Sequence, residues 1–143
     1  MPTESPEPGT ARRRPRLHPG DLPDAVLAFL AERHLATLTT LRRDGTPHVV
    51  PVGFAYDDRT RLVRIITNAA SQKARNAERG TPAVVCQVDG GRWLALEGRA
   101  TLSADPDRVA AAVAAYAGRY RVPGENPNRV ALEIAVERVL GRA

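Results

Sequence analysis

The chain has 143 residues, 43% of them hydrophobic and only 4% aromatic, with a formal net charge of +5. A domain of this length buries roughly two-thirds of the surface that its unfolded chain exposes, so no second core is required and Val, Leu and Ala must fill the one there is. Arg12, Arg13, Arg14 and Arg16 against Glu4 and Glu7 place +2 in the first twenty residues and leave +3 spread over the rest, a distribution that weakens a nucleic-acid reading and suits an anionic small ligand as easily as a polyanion.

Residues 1–20 hold five prolines, two glycines and almost no large apolar residues, the composition of a disordered leader. No apolar run is long enough for a signal peptide or a membrane span. Asp21 is the expected start of a helix in which Leu22, Val26, Phe29 and Leu30 form one apolar stripe. Strands follow at 35–41 and 47–54, joined by the turn Arg43-Asp44-Gly45-Thr46. Pro47 and Pro51 lack amide protons, so the second of these strands belongs at an edge, and Gly53 lets a neighbour approach its backbone closely.

A turn at 57–60 leads to a strand at 62–67. Ser71 then caps a short helix over 71–79, and strands at 83–88 and 92–103 follow, with Gly98 marking a bulge or bend. Asp105-Pro106 opens a third helix that runs to about residue 119. The segment 122–128 reads as a loop, and 129–140 alternates cleanly as a last strand. Six strands, three helices and a predominance of hairpins predict a mainly β, antiparallel domain over 21–143 and exclude a parallel nucleotide-binding sheet.

Lys73 is the only lysine among twenty-one basic residues. With Ser71, Gln72, Arg75 and Asn76 it forms a polar cluster suited to a phosphate; an exposed polar helix between two strands explains the same residues. Trp93 is suited to the side wall of a planar ligand or to rim packing. His18, His34 and His48 lack metal-ligand spacing, so no metal is expected. The lone Cys86 reads as a buried reduced thiol, which fits the cytoplasm.

The runs Arg33-His34-Leu35-Ala36-Thr37-Leu38-Thr39-Thr40, Asp44-Gly45-Thr46-Pro47-His48-Val49-Val50-Pro51-Val52-Gly53-Phe54 and Ser71-Gln72-Lys73-Ala74-Arg75-Asn76 resemble the flavin and deazaflavin oxidoreductases of the pyridoxamine 5′-phosphate oxidase-like superfamily. The stretch from Gln87 through Trp93 to Ala100 resembles them too. Within that superfamily the likeness is strongest to the actinobacterial F420-dependent biliverdin reductases.

The resemblance implies a six-stranded antiparallel split β-barrel and a homodimer with cofactor sites at the interface. The cofactor implied is coenzyme F420, with FMN as the alternative, and the small-molecule acceptor is biliverdin or a related conjugated compound. The ring would lie along Val49, Val50, Pro51, Val52 and Gly53, and the phosphate at Ser71, Lys73 and Asn76, with Gln72 and Arg75 nearby and Trp93 toward the ring. No catalytic residue is implied. An FMN-dependent oxidase or reductase of the same fold, and a non-catalytic protein that binds F420, a tetrapyrrole or haem, are the alternatives.

Overall fold

The computed structural model describes residues 16–143; residues 1–15 of the expected leader lie outside the described residues. Helix α1 spans Asp24–Ala31, followed by β1 (Ala36–Leu41), β2 (Pro47–Val52), β3 (Ala55–Asp57) and β4 (Leu62–Asn68). Then come α2 (Gln72–Glu78), β5 (Thr81–Asp89), β6 (Arg92–Ser103), α3 (Pro106–Arg119) and β7 (Arg129–Arg142). Among the described residues no helix is long and apolar enough to cross a membrane.

Local chemistry sets the boundaries. In the β1–β2 hairpin Gly45 takes a φ of +86°, and Asp44 accepts bonds from the Thr46 amide and hydroxyl, the turn that the Asp-Gly pair predicts. Asp105 accepts the amide proton of Asp107 at the head of α3, with Pro106 in the first turn, where a missing amide proton costs nothing. Helix α1 begins at Asp24 and not at Asp21, because the Asp21 amide is already bonded to the His18 carbonyl and Pro23 occupies the cap.

The strands form one antiparallel sheet in the order β2-β1-β5-β6-β7-β4-β3. The expected six-stranded split β-barrel is therefore corrected twice. Among the described residues there are seven strands; the sequence does not show β3, whose three residues, all half-buried, are too short for alternation. The sheet also does not close: β2 and β3 are its two edges, although only Gly53 and Phe54 separate them along the chain.

The reason lies at that corner. Pro47 and Pro51 remove two donors from β2. The backbone amide of Phe54 donates to Tyr120 Oη, and its carbonyl accepts from Arg119. Side chains at the end of α3 thus satisfy groups that a barrel ladder would otherwise pair.

Alternation sends Leu38, Val63, Ile65, Val85, Leu94, Leu96, Leu132 and Ile134 into one core, where Phe29 and Phe54 are also fully buried. Each such side chain contributes about 1.5–3 kcal/mol. The bulge expected at Gly98 is present, as the β6–β7 register shifts between Glu97 and Gly98. A Cβ there would lie 1.9 Å from the Ala135 carbonyl oxygen.

Candidate functional site

The chain leaves β4 at Asn68 and enters α2 through Ser71, whose Oγ accepts the Ala74 amide proton at 3.2 Å and lies 3.1 Å from Thr67 Oγ1. These bonds fix where α2 starts relative to the end of β4. Lys73, in the first turn, borders a cleft of about 380 Å³. Pro51, Val52 and Gly53 form one stretch of its wall, and Thr67, Asn68, Tyr116, Arg121, Asn126 and Arg129 also line it.

The loop before β7 is held against this cleft by bonds from the Ala69 amide to the Asn128 carbonyl and from Arg129 Nη2 to the Gly124 carbonyl. Lys73, Arg121 and Arg129 bring three positive charges to one cavity, and no carboxylate lines it. None of the three takes part in an ion pair among the described residues. Such a cavity attracts an anion with more than one charged group.

His48, on β2, does not line this cleft. Its Nδ1 is buried without a hydrogen-bond partner. Burial first, then the charges of Arg42 and Lys73, hold its pKa below the usual 6.5, so the ring is neutral at neutral pH.

The remaining residues that the sequence singled out divide into three groups. Gln72 and Arg75 border a different cavity, of about 590 Å³, with Arg43, Glu78 and Arg79. Asn76 is fully buried: its Nδ2 donates to Thr40 Oγ1 at 2.9 Å, and its Oδ1 accepts from Gln72 and Arg79. It faces β1, not the cleft. Val49 is exposed, Val50 packs against the core, and Trp93 is half-buried at the start of β6, paired with Val88 and Arg142.

Residues 22–143 match the family model described as pyridoxamine 5′-phosphate oxidase. The chain belongs to that family. It is also 58% identical over 122 residues to a Mycobacterium tuberculosis (strain CDC 1551 / Oshkosh) protein named F420H(2)-dependent biliverdin reductase, a match that covers 85% of this chain and 89% of the relative.

Among solved structures, a conserved hypothetical protein of Mycobacterium tuberculosis superposes with a TM-score of 0.73 at 23% identity, covering 92% of this chain and 89% of that one. A structure described as an F420 reductase gives a TM-score of 0.68 at 24% identity, covering 83% of this chain and 98% of that one. Both share the fold of this member of the pyridoxamine 5′-phosphate oxidase family.

Sequence reasoning missed Tyr116, Arg121, Asn126 and Arg129. They follow α3 or end it, far from Lys73 along the chain, and only the run of charged and turn-forming residues after Tyr120 pointed to them. It also missed a long-range group, Glu32, His34 and Asp89, whose ligand atoms lie within 4.8 Å of one another. Both of its acids are bonded to Arg92, at 2.6–2.9 Å. Cys86 is half-buried and its thiol pKa is raised by burial, the state of an unreactive thiol.

Proposed function

We propose that the protein is a reductase that uses reduced coenzyme F420 to transfer a hydride to biliverdin or a related conjugated acceptor, working in the cytoplasm as a homodimer. The observation that carries this reading is the 58% identity over 85% of the chain to a relative named for that activity. In it, residues 21–143 are the cofactor-binding domain, and of the segment before it Leu17 and His18 are held by bridges to Val139 and Asp21.

The chemistry of the cleft fits the coenzyme, which has a planar ring at one end and a phosphate and acidic tail toward the other. The ring lies along Val49, Val50, Pro51, Val52 and Gly53, where an edge strand has backbone groups free to bond it. Ser71 and Lys73 hold the phosphate, and Arg121 and Arg129 receive the acidic tail. Gln72, Arg75 and Asn76 support α2 from outside the cleft.

When bound, reduced F420 supplies the hydride, and the protein supplies binding, orientation and electrostatics. The three cations would hold the anionic end while the wall at Pro51, Val52 and Gly53 would orient the ring. No side chain needs to act as a nucleophile.

Support for the homodimer comes from the outer sheet face. Val49, Val88 and Leu140 are exposed there, and the register aligns Val88 with Trp93 across β5 and β6. Trp93 belongs to that contact. Sedimentation equilibrium tests it, with a monomer at micromolar concentration as the adverse result.

The activity is tested by mixing the protein with reduced F420 and biliverdin and following coenzyme oxidation together with bilirubin formation. NADPH and reduced FMN serve as alternative donors. Turnover with F420 supports the reading; turnover with FMN alone, or tight binding without turnover, replaces it with one of the alternatives.

A further inference from the structure

Arg119, at the end of α3, is half-buried and has no carboxylate partner among the described residues. Its guanidinium bonds only to neutral oxygens. Nε and Nη2 donate to the Glu32 carbonyl at 2.9 and 2.7 Å, Nη1 donates to the Phe54 carbonyl, and Nη2 also donates to Gln87 Oε1. The plane lies over the Phe54 ring, 4.5 Å from its centroid, and near the Tyr120 ring.

Gln87 is fully buried and anchored at its other end to the Phe29 carbonyl at 2.8 Å. Tyr120 completes the arrangement: its Oη accepts the Phe54 amide proton at 3.2 Å and donates to the His34 carbonyl at 2.6 Å. A partly desolvated cation without a counter-ion is costly. A neutral side chain, however, cannot offer a planar fork to three separate acceptors.

These bonds converge on the corner where the sheet edges meet. Next to it is Gly53, where a Cβ would lie 3.0 Å from the Tyr116 ring and 3.1 Å from the Tyr120 ring. Gly53 and Tyr116 line the Lys73 cleft, whereas Arg119 does not. We infer that Arg119, with Gln87 and Tyr120, is a positioning residue: it fixes the Gly53-Phe54 backbone, and through it the wall against which the cofactor ring rests. The inference builds on the cofactor reading above, and it concerns the ring end of the site, not the phosphate end.

The test uses the full chain as Arg119→Lys, which keeps the charge and loses the fork, and as Tyr120→Phe, which keeps the ring and loses the hydroxyl. Affinity is measured for F420 and for a phosphate-free, tail-less deazaflavin, and amide exchange at Phe54 is measured without ligand. Misplacing the wall weakens both ligands by the same factor, about tenfold or more, because small errors of placement are expensive in a preorganised site. Lys73→Ala weakens F420 alone.

Exchange at Phe54 rises in both variants while Leu132 and Ile134 stay protected. A uniformly loosened fold would instead expose all three. Unchanged affinity for both ligands, or a loss confined to F420, overturns the inference. If the wild-type protein binds neither deazaflavin, the cofactor reading fails separately; Phe54 exchange in Arg119→Lys then decides alone whether Arg119 holds the corner, with unchanged protection overturning that role. Should Arg119→Lys not fold, Tyr120→Phe carries the same comparisons.

Discussion

Replacing Asn76 with Leu separates two roles for α2. In the native protein Asn76 Nδ2 donates to Thr40 Oγ1, which has no exposed surface, and Oδ1 accepts from Gln72 and Arg79. Leaving the Thr40 hydroxyl without its donor costs about 1–3 kcal/mol. The bonds from Gln72 and Arg79 add about 0.5–1 kcal/mol together, because water replaces the lost acceptor at both side chains.

The expected loss is therefore about 1.5–4 kcal/mol, or roughly 5–13 °C in Tm for a domain of this size. Urea denaturation at constant m-value measures it. Thr40→Val in the Asn76→Leu background should cost less than the sum of the single changes, since both partners of the buried bond are then gone. A change within about 0.5 kcal/mol of wild type, accompanied by weaker cofactor binding, would refute the structural role and return Asn76 to the ligand.

Lys73→Ala is expected to raise the F420 dissociation constant about tenfold or more, with a weaker salt dependence than wild type, while Arg75→Ala, at a separate cavity, changes it less than about twofold; titration calorimetry at two salt concentrations compares them. For His48 the folded pKa lies below 6.5, so the unfolded chain takes up the proton first as pH falls. The contribution to stability is complete above pH 6.5 and is lost as pH drops toward the folded pKa. Urea midpoints measured against pH should show a shallower acid decline for His48→Gln; parallel curves would remove the effect. Gly98→Ala puts a Cβ 1.9 Å from the Ala135 carbonyl oxygen, so β6 and β7 must separate, and a loss of about 3 kcal/mol or more is expected by denaturation.

Local signals carried six of the described strands, the β1–β2 turn and the Gly98 bulge into view, because alternation and glycine placement act within a few residues. The edge position of β2 was legible for the same reason, through Pro47 and Pro51. Closure was not legible, since it depends on whether Phe54 bonds to a strand or to Arg119 and Tyr120, more than sixty residues further on. The site divided along the same line. Lys73 and its β2 wall lie in two of the quoted runs, whereas Arg121 and Arg129 reach the cleft through the fold, and Asn76 looked like a ligand residue because a sequence does not reveal which side of a short helix is buried.

The open corner and the cleft meet at Gly53. A ladder between β2 and β3 would bring the two strands about 4.8 Å apart and use the backbone groups that now face outward from β2. The polar side chains that end α3 satisfy the Phe54 backbone instead, which lets the sheet curl until its edges meet along the chain without pairing. The cleft lies between the end of β2 and β4, and is lined by Lys73 on α2 and by Arg121 and Arg129 from the α3–β7 connection. Closing the sheet would be the more economical use of hydrogen bonds. Leaving it open keeps β2 an edge strand beside a cationic cavity, the pairing of surfaces that the proposed ring-and-phosphate cofactor would use.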